Sequence, residues 1–237
     1  MAGEPIDRNE KRPALERADA SEQDSRAKKE RASDWDFRSA EIAKRVGAFL
    51  PHWSAKGATY AVTFRLADSL PRVVLEAFLR ERRQLLVESR SKGRELTTRE
   101  SKRLHELHSA RIEAFLDSGK GGCVLRDANH AQIVKDALRY FDCQRYDILA
   151  WCVMPNHVHV VVRPYPGHEL RAILQSWKSF TANSINKLLG RNGALWQADY
   201  FDHLIRDDDD LEHSIRYVLE NPKSAGLSDW PWSGTSF

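Results

Sequence analysis

The chain has 237 residues, 41% of them hydrophobic and 30% charged, which suits one domain of ordinary size with tails that do not pack. Its 37 Lys and Arg stand against 34 Asp and Glu, a net charge of +3, so bulk charge does not announce a nucleic-acid partner and any basic face must come from local clustering. With no apolar run of about 18 residues, no basic-then-apolar leader and three cysteines (Cys123, Cys143, Cys152) without a CxxC pair, the expectation is a cytoplasmic protein with reduced thiols and no membrane span.

Residues 1–34 carry mixed charge, few large apolar side chains and no sustained period, so they cannot bury enough surface to offset ordering. A disordered arm is expected there, with one folded domain over 35–237. TYAVTFRL, at 59–66, is β-branched and aromatic in the manner of a strand. From 72 to about 116 the text is helical and heavily charged, with a break near Ser91 to Thr97. Thr97 and Glu100 then stand in capping-box spacing ahead of a stripe of Leu104, Leu107, Ile112, Phe115 and Leu116. A charged helical hairpin inserted at 72–122 is the reading. The GKGG at 119–122 is too short for a phosphate-binding loop. A helical stripe follows over 129–141, then two strand-like runs, 146–154 and 157–163, joined by Pro155-Asn156 as a hairpin. A helix is predicted over 168–189 ending at Gly190, extended chain over 195–205, and a last helix over 209–220 before Pro222. Strands and helices alternate without regular βαβ units, which favours an α+β sheet with helices packed against it.

Side chains alternate along a strand, so His157 and His159 emerge on one face while Val158, Val160 and Val162 take the other. Two neighbouring imidazoles are half of a metal site. A third ligand is needed, and neither His168 nor His203 has a spacing that commits it.

In the last helix Leu211, Ile215, Val218 and Leu219 form one apolar stripe. Tyr217 falls nearly opposite Ile215 at about 100° per residue, on a side it shares with His213 and Asn221. That side offers a hydroxyl and a carboxamide oxygen together. Asp207 to Asp210 suggest a metal cluster, but acids at a helix start satisfy free amides and the dipole, so they are excluded from the site.

A His-hydrophobic-His strand after a Pro-Asn turn, followed by a helix bearing a tyrosine and, four residues on, an asparagine, resembles the single-tyrosine HUH transposases of the insertion-sequence 200 type. WCVMPNHVH, the SFT at 179–181, Trp196-Gln197, FDHLIR at 201–206, YVLENPKSAGL at 217–227 and DWPWS at 229–233 together are similar, more narrowly, to REP-associated tyrosine transposases, which act on repetitive extragenic palindromic DNA. The resemblance runs over 57–237. The arm and the 72–122 insertion depart from the shortest members.

The resemblance implies a ferredoxin-like HUH endonuclease fold, an antiparallel sheet with the histidines on a central strand and the tyrosine helix across them. It implies His157, His159 and Asn221 as ligands of Mg²⁺ or Mn²⁺ and Tyr217 as the nucleophile that forms a 5′-phosphotyrosine. Two imidazoles and an amide are softer than the usual Mg²⁺ shell, which favours Mn²⁺. The implied partner is single-stranded or hairpin DNA, the implied state a monomer or homodimer, and the implied place the bacterial nucleoid. Lys178, where relatives carry a lysine, Lys187 and Arg191 lie along or just after one helix and are the DNA-binding candidates. The alternatives are an HUH nickase of the replication-initiator type and a domesticated DNA-binding protein without catalysis. A structural zinc domain fails on cysteine spacing.

Overall fold

Buried and half-buried residues alternate along Tyr60–Arg65, whereas burial is unbroken along Tyr146–Val153, the signatures of a strand near a sheet edge and of one covered on both faces. The computed structural model describes residues 42–46, 51–70, 72–91 and 121–235, together with Lys28, Arg94, Thr97, Phe115 and Leu116. In chain order its elements are β1 (Ala43–Val46), β2 (Pro51–Ser54), β3 (Tyr60–Arg65), α1 (Arg72–Ser91), a 3-10 turn (Val124–Arg126), α2 (Ala128–Arg139), β4 (Tyr146–Val153), β5 (His157–Pro164), α3 (Leu170–Leu188), β6 (Phe201–Leu204), α4 (Asp208–Ser224) and β7 (Ser233–Gly234).

Five of the strands form one antiparallel sheet in the order β6-β3-β5-β4-β7, with β5 in the centre, so the fold is α+β as expected. Val158, Val160 and Val162 point into one core with Val134 and Leu138 of α2 and Ile173, Trp177 and Ile185 of α3. The opposite face meets α4, where Ala150, Cys152 and Val161 pack with Leu211 and Val218. Helices thus cover both faces, and β5 carries no surface that is not committed to one layer or the other. The DWPWS segment closes the β4 edge: Trp230 donates its indole N–H to the Val153 carbonyl, Val153 N–H bonds Trp232 O, and β7 pairs with Trp151 and Cys152.

Three expectations are corrected or bounded. β1 and β2, a separate two-stranded sheet, were not foreseen, because AKRV and PHWS are short and polar. The last helix does not stop before Pro222 but runs to Ser224. Proline removes one N–H and crowds the carbonyl four residues back, yet the turn beyond it is held by Ala225 N–H to Asn221 O and Leu227 N–H to Pro222 O, and Pro222 itself is buried. The second arm of the helical hairpin lies outside the described residues except for Phe115 and Leu116, and so does the arm at 1–34 except for Lys28, whose buried ammonium bonds Asp142 at 2.6 Å. No described helix is long and apolar enough to cross a membrane.

The β1–β2 hairpin is fastened to β6 through His52, buried between Asp202 at 2.5 Å and Asp199 at 2.9 Å and packed on the Tyr200 ring. Burial opposes charge on this ring, but the hydrogen bonds to Asp199 and Asp202 and their negative charges outweigh it, so its pKa is raised to about 9. A group with a raised folded-state pKa stabilises fully below its unfolded value of 6.5 and loses that contribution as pH rises through about 9. Melting temperature is therefore expected to fall between these pH values by an amount corresponding to about 1–3 kcal/mol. His52→Gln should flatten the decline, and parallel profiles for the two proteins would exclude the latch.

Candidate active site

β5 lies between β3 and β4, and its register sets His159 opposite Thr63 and Cys152, and His157 opposite Arg65. Both histidines are buried, at 0% and 1% exposure, which rules out the half-exposed polar pair that a lone HxH would ordinarily be. Their rings meet at right angles with the two Nε2 atoms 2.8 Å apart.

Each Nδ1 is taken by a neighbour. Asn156 donates its amide N–H to the Leu116 carbonyl at 3.0 Å, which leaves its Oδ1 as the acceptor for His157 Nδ1–H at 2.6 Å. His157 Nε2 is then the nitrogen with the lone pair, aimed at His159. On the other side Thr63 Oγ1 stands 2.8 Å from His159 Nδ1 and, as a hydroxyl, serves either tautomer. Burial holds His157 well below the usual imidazole range, with the His159 and Arg65 charges acting in the same direction, and burial pushes His159 down to about 3. Both rings are neutral near pH 7, the state a metal ligand requires.

Across this face lies α4. Its buried positions are Leu211, Ser214, Val218, Asn221 and Pro222. Two polar residues therefore join the stripe, which turns the buried face of the helix toward Tyr217. The tyrosine is not on the solvent side, as the apolar stripe alone suggested, but half-buried, with its ring 5.4 Å from and perpendicular to that of His159. Asn221 donates its amide N–H to Tyr217 Oη at 3.4 Å, a long hydrogen bond, while its Oδ1 is buried and, among the described residues, has no hydrogen-bond partner. An unpaired buried carbonyl oxygen costs about 1–3 kcal/mol, and a cation would recover that cost. His157, His159, Tyr217 and Asn221, predicted from four sequence positions, are thus brought together by one chain. The donor set of two neutral imidazoles and an orphaned amide oxygen suits a divalent cation.

Other candidates are placed differently. Lys178 does not extend outward: its ammonium donates to the carbonyls of Gln197 at 2.5 Å and Ala198 at 3.0 Å, and burial lowers its pKa to about 8. Lys187 is exposed in the last turn of α3, and Arg191 Nε bonds Asn186 Oδ1 just beyond it. His203 is bonded by Asp210 at 2.9 Å, and Asp207 caps α4 by accepting from Asp210 N–H, so the acidic run acts at the helix start as expected. Among the described residues, Asp142, Cys143 and Asp147 bring three ligand atoms within 4.8 Å of one another, a second potential acidic metal site. There Asp142 already serves Lys28 and the Ile148 amide, and Asp147 serves Arg163 and Tyr165. Asn156, Thr63 and Arg65 were not singled out from sequence as site residues. The period-2 pattern of β3 puts Thr63 and Arg65 on one face, but only the register with β5 shows that it is the histidine face.

Residues 124–221 match the family model described as "Transposase IS200 like". That match covers 98 of the 237 residues. The IS200-like segment spans α2 through most of α4 and so includes both histidines, the tyrosine and the asparagine. A Haemophilus influenzae protein assigned to the REP-associated tyrosine transposases is 29% identical over 107 residues, covering 38% of this chain and 61% of the relative. The REP-associated tyrosine transposase of Escherichia coli K12 is 28% identical over 92 residues, covering 37% of this chain and 53% of the relative. The matches thus span less than two thirds of either relative. A solved structure of a REP-associated tyrosine transposase bound to a REP hairpin aligns over 81% of each chain at 18% identity, with a TM-score of 0.45.

Proposed function

We propose that this chain cleaves and rejoins hairpin-bearing, REP-like single-stranded DNA through a 5′-phosphotyrosine on Tyr217, with Mg²⁺ or Mn²⁺ held by His157, His159 and Asn221. The observation that carries the reading is the buried pair of neutral imidazoles facing a helix that presents a tyrosine and an unpaired amide oxygen. Tyr217 packs on its own chain's His159, which supports action in cis.

A tyrosine hydroxyl of pKa about 10 is a poor nucleophile and a phosphodiester repels it with its own charge. When bound, the divalent ion would polarise a non-bridging phosphate oxygen and orient the phosphate for in-line attack. The protein's part is to hold the geometry. Asn156 and Thr63 fix the imidazole planes, and α4 carries the Tyr217 ring that packs edge-on against His159. The Tyr217 oxygen forms a bond to phosphorus as the bond from phosphorus to O3′ breaks, the phenol proton is lost and the departing oxygen takes up a proton as a 3′-hydroxyl. The phosphotyrosine conserves the bond, so attack by another 3′-hydroxyl rejoins strands without a nucleotide cofactor. Lys187 and Arg191, at the end of α3, supply charge for the DNA backbone, and Lys178 supports the 195–200 loop that its ammonium holds. The domain spans 35–237, with the 72–122 insertion and the 1–34 arm appended to it.

The test is incubation with hairpin-bearing single-stranded DNA and Mg²⁺ or Mn²⁺, then a denaturing gel. A band of protein-linked DNA is expected, and none with either ion would exclude the chemistry. Asn221→Ala should weaken metal affinity about 10–100-fold, read as a higher metal concentration needed for cleavage, and Asn221→Gln should retain part of the activity. An unchanged titration for Asn221→Ala would place the third ligand elsewhere.

A further inference from the structure

Arg65 is the last residue of β3 and sits opposite His157, two positions from Thr63, which touches His159. Strand alternation therefore puts its side chain on the histidine face. Its charge is felt by His157, where it helps to hold the imidazole neutral. The guanidinium is only partly open to solvent, and burial lowers its pKa to about 10 despite the nearby charge of Asp199.

A guanidinium carries five N–H donors, and a buried charge is costly unless it is paired and hydrogen-bonded. Among the described residues the Arg65 guanidinium makes one hydrogen bond, to Ser69 Oγ at 3.5 Å, the outer limit for such a contact. The Asp199 carboxylate holds His52 at 2.9 Å. A desolvated cation with most of its donors uncommitted, beside two neutral imidazoles, is a site for an anion. Its planar fork fits phosphate oxygens two at a time, which an ammonium cannot do.

We infer that Arg65 binds a phosphate of the DNA strand docked at the His157–His159 centre, donating to its non-bridging oxygens and fixing the strand's position under Tyr217. This rests on the reading of the site as one that takes a DNA strand, but it does not require that cleavage occur.

The experiment uses full-length protein carrying Tyr217→Phe, so that nothing is cut, and fluorescence anisotropy with a hairpin-bearing oligonucleotide. A series of probes each replaces one phosphate of the single-stranded flank by an uncharged methylphosphonate. With Arg65 present, neutralising one phosphate should weaken binding about tenfold, the worth of a charge-assisted contact. Arg65→Gln should erase that dependence, leave the other positions of the profile unchanged and make the salt slope shallower by about one. Arg65→Lys should keep the charge but only part of the positional effect. A methylphosphonate profile for Arg65→Gln identical to that with Arg65 overturns the inference. If Arg65→Gln does not fold, the Arg65→Lys profile decides, and a full positional effect there overturns it equally. Failure of the wild type to form a protein-linked product would count against the tyrosine chemistry alone, since the role of Arg65 is read from binding by a protein that does not cut.

Discussion

Tyr217→Phe is expected to fold, to bind DNA as the wild type does, and to form no covalent product. The substitution keeps the ring that packs edge-on against His159 and removes only the hydroxyl, to which Asn221 makes a long hydrogen bond of 3.4 Å. The stability cost should stay within about 1 kcal/mol. Cleavage, by contrast, should fall below detection, because no other tyrosine hydroxyl is available at the histidines. Tyr60 and Tyr146 donate to the carbonyls of Ala55 and Leu138, Tyr165 donates to Asp147, Tyr200 lies against His52, and Tyr140 is exposed beside Phe141. Digestion of the wild-type product followed by mass spectrometry should place the DNA fragment on the peptide containing Tyr217, with the released strand ending in a 3′-hydroxyl. An adduct on another tyrosine, or cleavage by Tyr217→Phe through water, would sink the mechanism even with the fold unchanged.

The reason so much of this site is legible in the sequence is that two of its elements carry strong periods. The valines at 158, 160 and 162 fix which way His157 and His159 point, and four-residue spacing alone puts Asn221 one turn from Tyr217. What periodicity cannot give is who sits across from whom. Asn156 reads as a turn residue, yet its side chain links His157 to Leu116, forty positions away, a contact that only the tertiary fold creates. Arg65 reads as the polar end of a strand until register sets it against His157. The burial of Ser214 and Asn221 is invisible to an apolar stripe, so the sequence placed Tyr217 on the wrong side of its helix. Lys178 illustrates the reverse: a basic residue on a helix reads as a phosphate contact, but a neighbouring loop offers carbonyls that its ammonium takes first. Short polar strands such as β2 depend on a tertiary latch, here His52 on Asp202, rather than on local propensity.

His157→Ala and His159→Ala should each abolish metal-dependent cleavage, a loss of about 10³-fold or more, or roughly 4 kcal/mol of transition-state stabilisation, while DNA binding changes little. The argument is one of donor count. With one imidazole gone, the site is left with a single ring nitrogen and the Asn221 amide oxygen, too few protein donors to hold a divalent cation against water. The contacts proposed for the DNA backbone, on Lys187, Arg191 and Arg65, lie outside the altered side chain. Metal binding can also be read without any substrate. A cation that binds only the folded wild type at about 100 times its dissociation constant adds about 2.7 kcal/mol, which for a domain of this size raises the melting temperature by roughly 5–10 °C. Neither alanine variant should show that rise with Mn²⁺ or Mg²⁺, although each loses buried packing and melts lower on its own account. Because the shift is measured within each protein, the packing loss cancels. A variant that keeps both the full thermal shift and full cleavage would show that the cation binds elsewhere, with the Asp142, Cys143 and Asp147 cluster as the next place to look. A variant that loses the shift but still cleaves would show instead that the metal is structural, and that Tyr217 attacks without it.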